Sequence, residues 1–411
     1  MAPALGTCEA YRHDDTREAE LSRDYVKMRK ARSDVGQRWS LGARPLAFIF
    51  LVFCLSRLLI FSAMAVSPWF IAPAIPRWNL EDPLLRPLFR WDAGWYLNIA
   101  EYGYAYNGDP TQEHNIVFFP LYPLTCRLFH MATGLSIPLC AVVLSNGAFL
   151  IGLAALYALI TWEIGPEVAR GAILLLAFFP TSLFFSIMYT ESFFLTFSVL
   201  AYTAFRRQRF LAGGIWSGLA SATRLPGILL GVPLLFAAFP YLKDRRRWWP
   251  VVVAGLLAMS GILAFLFYLW TAFGDPLATF RVQQQAPGWQ REFAFPFRSI
   301  KAGLKQTLIS HFSPAPVDAW LALLFIALAC ALPWYLSTSY AVYSLLCLAL
   351  PLCTTAGIWS FSRYASVIFP VFMLLGIVGQ RWRWRVWALV ALFGVLLAIF
   401  SMRYAQWHWV A

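Results

Sequence analysis

The sequence predicts an all-α, polytopic helical membrane protein, and three observations carry that prediction. Of its 411 residues, 60% are hydrophobic and only 13% charged, where about a quarter is charged in an ordinary soluble domain. Apolar runs long enough to cross a bilayer recur along the chain with basic punctuation between them. The two-residue alternation of a membrane barrel is missing, so helices are left to satisfy the backbone in lipid.

Residues 1–44 are polar, mixed in charge and without an apolar core, too long and too acidic for the basic region of a signal peptide. They are expected to form a largely disordered cytoplasmic tail. The first span, Leu46 to Val66, is preceded by Lys27, Arg29, Lys30, Arg32, Arg38 and Arg44 against a single acid, Asp34, which places the N-terminal side in the cytoplasm. The charge balance reverses over residues 67–116, as expected of a first external loop.

Further spans are expected at about 137–161, 169–188, 192–204, 211–222, 227–241, 250–273, 318–335, 339–355, 364–379 and 386–402. The clusters Arg206–Arg209, Lys243–Arg247 and Arg381–Arg385 all fall in the cytoplasm if Phe118–Ala132 is interfacial or re-entrant. That gives roughly eleven transmembrane helices, a membrane domain over 45–404 and an external tail over 405–411. A second external segment, 274–316, carries Arg281, Arg291, Arg298, Lys301 and Lys305, against the topology rule. An anionic ligand at the membrane surface would account for it.

Net charge is +13, which in such a chain reports topology, and no nucleic-acid-binding motif accompanies it. Seven cysteines are scattered, mostly in apolar runs, without metal-type spacing. There is no HExxH, nucleophile elbow or P-loop, so no metal site is assigned and no cofactor is expected.

The residues able to do chemistry sit at the external rim. In RWDAGWYLNIAEYGY (90–104), Asp92 precedes a helix expected over Ala93–Tyr102, with Gly103 supplying the left-handed exit. Capping that helix is one role for Asp92. However, Trp91, Trp95 and Tyr102 recur at helical spacing, which lays the helix in the interface with its acid facing the space above the bundle, where a carboxylate can act as a general base.

Glu191, in MYTESFFL, reads equally as a helix-start carboxylate capped by Thr190 or as a second functional acid. Arg57 lies inside the first span and reads as a snorkelling side chain. Arg224, in SATRLPG, and Arg363 with Tyr364, in FSRYASVIFP, are placed to clamp a lipid phosphate on the external side. Arg90, Trp91, Trp95, Tyr96, His114 and Tyr122 complete the expected substrate-binding set.

The run from RWDAGWYLNIAEYGY through FFPLYPL, YTESFF and TRLPG to SRYASVIFP, in that order, resembles the PIG-V mannosyltransferase family over about Arg57 to Pro370. The resemblance implies a GT-C fold and a sugar, mannose by inference, taken from a polyprenyl-phosphate carrier. It implies an acid in the first external loop that serves the reaction, a role that falls on Asp92, with Glu191 in the second acidic position and Arg363–Tyr364 in the late motif. A lipid-linked donor and a glycolipid or glycan acceptor in the membrane are the implied partners; a divalent metal is neither required nor excluded, and a small membrane subunit is left open.

The short loops and basic tail fit a prokaryotic plasma membrane, or the endoplasmic reticulum in a eukaryote. A transporter or lipid-linked sugar flippase would also use embedded charge, but it needs a path to both faces. All the singled-out residues except Arg57 fall on one face.

Overall fold

The computed structural model describes residues 41–75, 78–241, 248–307, 315–354, 358 and 360–410. Most of the expected tail and the Lys243–Arg247 cluster lie outside them. The described residues form helices joined by turns, with no strand and one isolated antiparallel bridge, Phe293 to Thr354. The helices are α1 (Ala43–Phe70), α2 (Ala93–Tyr102), α3 (Leu121–Thr133), α4 (Ile137–Glu163), α5 (Pro166–Ala177), α6 (Glu191–Arg206), α7 (Phe210–Thr223) and α8 (Gly231–Ala238). They continue as α9 (Trp248–Phe273), α10 (Ala278–Gln285), α11 (Pro296–Thr307), α12 (Ala315–Ala331), α13 (Thr338–Leu352), α14 (Phe361–Ser366), α15 (Phe369–Gln380) and α16 (Arg383–Ala405).

Among the described residues, five segments are long and apolar enough to cross a membrane: α1, α4, α9, Val317–Trp334 and Trp384–Ala405. The molecule is thus a multi-pass helical membrane protein. Helix α3, over the expected interfacial segment, has 13 residues and reaches roughly 20 Å at about 1.5 Å per residue, short of the hydrocarbon thickness.

Other expected spans are broken. The run 169–188 ends its helix at Ala177, turns, and passes through a 3₁₀ turn at Ser182–Phe185 before α6 begins at Glu191. Pro180, Thr181 and Ser182 mark the break in the sequence. Irregular backbone at membrane depth is tolerated where protein satisfies it, and here Arg57 does so.

The Arg57 guanidinium donates to the carbonyls of Ala177 (3.2 Å) and Ser182 (3.1 Å) and to the hydroxyls of Ser182 and Ser186 (both 2.7 Å). It also lies 4.6 Å from the Phe149 ring centroid. Snorkelling is therefore not its role; Arg57 is buried and pins the segment that leads into Glu191. Ser145 Oγ donates to the Ile187 carbonyl (2.9 Å) and Asn146 Nδ2 to that of Ser186 (3.1 Å), completing the support from α4.

Two apolar clusters fill the interior. One joins α4–α8 to α12–α15; the other packs α2 and α3 beneath the irregular segment, with Tyr96, Tyr122, Tyr189 and Tyr404 among its buried rings. The second cluster is the floor on which the polar residues of the rim are placed.

Candidate active site

Helix α2 forms over the residues its sequence predicts and ends at Gly103, whose φ of 85° needs the absence of a side chain. Gly94, in its first turn, is approached by Trp78: a Cβ there would stand 2.7 Å from the indole. Asp92 occupies the position before the helix, but its carboxylate makes no capping hydrogen bond. The cap reading is replaced by another partner.

That partner is Arg363, whose Nη1 donates to Asp92 Oδ2 at 2.9 Å. The same guanidinium brings Nε to 3.4 Å from Glu191 Oε1, which in turn accepts from Arg224 Nη1 at 2.6 Å. Acid and base therefore alternate as Asp92, Arg363, Glu191, Arg224. The Glu191 side chain is 1% exposed and that of Arg363 7%, while Asp92 keeps 25% of its side chain open. Thr190 precedes α6 without capping it, and Glu191 Oε2 is buried with no hydrogen-bond partner among the described residues.

Asp92 and Glu191 stand at helix starts, and the two arginines are delivered by breaks. Arg224 ends α7 in extended backbone (φ −158°), where a 3₁₀ turn begins. Arg363 rides on the single-turn α14, entered through Ser360 at φ 66°. Asp318, on α12, fixes that entry: its carboxylate accepts the amides of Phe361 (3.3 Å) and Ser362 (2.9 Å), while Thr181 donates to the Ser362 carbonyl (3.0 Å).

Trp91 is held at φ 54°, a left-handed conformation that costs a bulky residue about 1–3 kcal/mol. Its neighbours are tied down on both sides. The Asp92 amide donates to Tyr189 Oη (3.2 Å) and the Arg90 amide to Tyr404 Oη (3.1 Å), while both hydroxyls donate to the Arg90 carbonyl, at 3.3 Å and 3.0 Å.

The ladder borders a cavity of about 1780 Å³. Asp92, Glu191, Arg224, Arg363 and Tyr364 line it, as do Trp91, Trp95 and Tyr96. Arg224 and Arg363 hold their guanidiniums 4.8 Å and 5.4 Å from the Tyr364 ring. Trp95 stacks on Phe118 at 6.1 Å and meets Trp289 at 5.9 Å, giving an aromatic wall. Burial, with Glu191 nearby, pushes the Tyr96 hydroxyl upward from its ordinary range, so it remains a neutral phenol.

Three expected substrate-binding residues lie elsewhere. Arg90 is buried against the carbonyls of Ala405 (3.0 Å) and Phe89 (3.0 Å) and the Trp407 ring (5.0 Å). Tyr122 shares a hydrogen bond with Ser145 Oγ (2.7 Å) inside the floor, and His114 Nε2 pairs with the Asp109 carbonyl (3.0 Å). Their polar atoms are spent on structure, and none of the three lines the cavity. Arg291 and Arg298, from the basic segment 274–316, do line it, and no carboxylate pairs with either among the described residues. Arg281 instead pairs with Asp275 at 3.0 Å.

A family model described as Mannosyltransferase (PIG-V) matches residues 38–286, more than half of the chain. The chain belongs to that family. Among curated relatives, the GPI alpha-1,6-mannosyltransferase 2 of Rattus norvegicus is 34% identical over 182 residues, 41% of this chain and 35% of the relative. The GPI mannosyltransferase 2 of Cryptococcus neoformans is 29% identical over 257 residues, 56% of this chain and 58% of the relative. The chain thus matches between about a third and just under three fifths of these relatives' length.

Among solved structures, that of ArnT from Cupriavidus metallidurans bound to undecaprenyl phosphate superposes with a TM-score of 0.50 at 14% identity, over 84% of this chain and 62% of that one. This likeness gives the fold, the GT-C type. Within this PIG-V family member, Asp92, Glu191 and Arg224 fall inside the matched region, whereas Arg363 and Tyr364 lie beyond it and reach the site through the fold.

Sequence reasoning missed Asp318, Tyr189, Tyr404 and the tryptophans after α16. Asp318 gave a signal, an acid opening an apolar run; the others are aromatic residues among many.

Proposed function

We propose that the protein is a membrane mannosyltransferase that takes its sugar from a polyprenyl-phosphate carrier and passes it, with inversion, to a hydroxyl of a glycolipid or other glycan on the external or lumenal face. The observation that carries this reading is the alternating ladder from Asp92 to Arg224 on the wall of one large cavity. The family and its relatives' names support mannose, and the neighbour bound to undecaprenyl phosphate supports a lipid-phosphate donor.

In the reaction, the acceptor oxygen attacks the anomeric carbon from the side facing Asp92, and the carboxylate takes the hydroxyl proton. The bond from that carbon to phosphate breaks on the opposite side. Polyprenyl phosphate departs with a second negative charge, which the cavity's arginines stabilise without waiting for solvent to reorganise. Glu191 holds Arg224 and Arg363 in place. Since Arg224 and Arg363 already serve carboxylates, the donor phosphate falls chiefly to Arg291 and Arg298.

Membrane vesicles supplied with radiolabelled polyprenyl-phosphate mannose provide the test. Label should move into an acceptor lipid or glycan as polyprenyl phosphate is released. Intact donor crossing sealed vesicles with no chemical change would instead establish a flippase. In the same assay, Arg291→Gln and Arg298→Gln should each raise the donor KM about ten-fold, the worth of a charge-assisted hydrogen bond, with kcat little changed. A donor KM unaltered even in the double variant would remove both arginines from the donor site.

A further inference from the structure

The segment following α16, Gln406–Val410, lies outside the matched family region, yet it is built against the loop that carries Asp92. Trp407 turns the chain back at φ 66°. On one side the segment is anchored to the end of α1. Gln406 Nε2 donates to Ser67 Oγ (2.7 Å), the Ala74 amide donates to the Gln406 carbonyl (2.9 Å), and His408 Nε2 lies 2.9 Å from the Ala72 carbonyl.

On the other side it meets the active loop with aromatic edges. Trp407 contacts Trp78 at 5.9 Å and Trp91 at 5.7 Å, and supports the Arg90 guanidinium at 5.0 Å. Trp409 meets Trp91 at 4.9 Å, nearly perpendicular, and also lines the cavity. One turn back, Tyr404 holds the Arg90 amide and carbonyl.

We propose that Gln406–Val410 is a positioning element for the catalytic acid, holding Trp91 in its left-handed conformation and so aiming the Asp92 carboxylate at Arg363 and the cavity. A bulky residue at positive φ persists only where its surroundings over-determine it, and here they are supplied by Trp407, Trp409 and Tyr404 from one side and Tyr189 from the other. Relaxation of Trp91 would swing the following peptide and displace Asp92, and a misplacement of about 1 Å can cost a hundred-fold in rate. The inference rests on Asp92 being the base.

The test uses the full chain in vesicles, with Trp407→Ala, Trp409→Ala and Trp409→Phe measured alongside Asp92→Asn. Trp407→Ala and Trp409→Ala should lower kcat by about ten- to a hundred-fold while donor KM stays within about two-fold. Trp409→Phe keeps an aromatic edge on Trp91 and should recover most of the rate. Acting through Asp92, Trp409→Ala should add little further loss in the Asp92→Asn background. Size-exclusion profiles and melting midpoints establish that each variant is folded; if an alanine variant is not, Trp409→Leu, which keeps bulk but removes the ring edge on Trp91, carries the same expected loss of kcat, and a normal kcat in it overturns the inference.

Normal kcat in Trp407→Ala and Trp409→Ala overturns the inference. So does a loss expressed in donor KM, which would make Trp409 part of the binding wall, or a loss that persists in full without the carboxylate. If Asp92→Asn is itself fully active, it is the base assignment that fails, whatever the tryptophan variants do.

Discussion

Asp92→Asn is expected to lower kcat by about two to four orders of magnitude, the usual contribution of a positioned base, while the protein remains folded and binds donor. The amide is the closest match to the carboxylate in shape, and its oxygen can still accept the 2.9 Å hydrogen bond from Arg363. What it cannot do is take a proton. The change leaves Arg363, 7% exposed, with Glu191 as its remaining carboxylate and with the amide oxygen still accepting from its guanidinium, so some loss of stability is expected beside the loss of rate. Initial rates with radiolabelled donor, set beside binding of polyprenyl phosphate to detergent-solubilised protein, separate the two functions. Near-normal turnover would take Asp92 out of proton transfer. Loss of donor binding with kcat intact at saturation would make it a support for Arg363 instead.

Asp92 and its helix were legible in the sequence because their determinants are local. An acid, a run of helix formers with tryptophans one turn apart, and a glycine at the exit fix α2 within a dozen residues, and the structure forms it over Ala93–Tyr102. The partner of the acid was not legible in the same way. Arg363 lies 271 residues further on, and nothing in hydropathy joins the two.

Hydropathy also erred in a particular direction: it fused 169–188 into one span because an apolar run looks alike whether it is helix or buried turn. Pro180 is the local mark of the break, but what makes the break tolerable, Arg57 donating to the carbonyls of Ala177 and Ser182, comes from a helix more than a hundred residues away. Arg90, His114 and Tyr122 were drawn into the site by proximity in sequence. Arg90 in the loop before α2, His114 in the loop after it and Tyr122 on α3 are carried to the floor and flank, so adjacency misled where periodicity did not. The basic segment after α9 announced itself by breaking the topology rule, and two of its five cations, Arg291 and Arg298, line the cavity.

The largest effect on folding is expected at Arg363, because it serves two carboxylates at once. Arg363→Ala leaves Asp92 without its ion pair and leaves Glu191, 1% exposed, with Arg224 alone. Removing one partner from a buried ion pair typically costs about 3–5 kcal/mol, since the remaining charge has lost its solvent as well. The melting midpoint should fall and transfer should be lost.

Arg363→Lys keeps the charge but replaces a fork with a single point that cannot meet Asp92 and Glu191 together. It should retain most of the fold and lose about ten-fold or more in kcat, the worth of one charge-assisted hydrogen bond. The decisive variant is double: Arg363→Met with Glu191→Gln removes a charge of each sign, so stability should partly return while transfer stays lost. If Arg363→Ala melts where the unaltered protein does, the ladder is not holding these helices together. If the double variant is less stable than Arg363→Ala, the larger cost lies in Arg224, which loses its carboxylate partner when Glu191 becomes an amide, and not in an uncompensated Glu191.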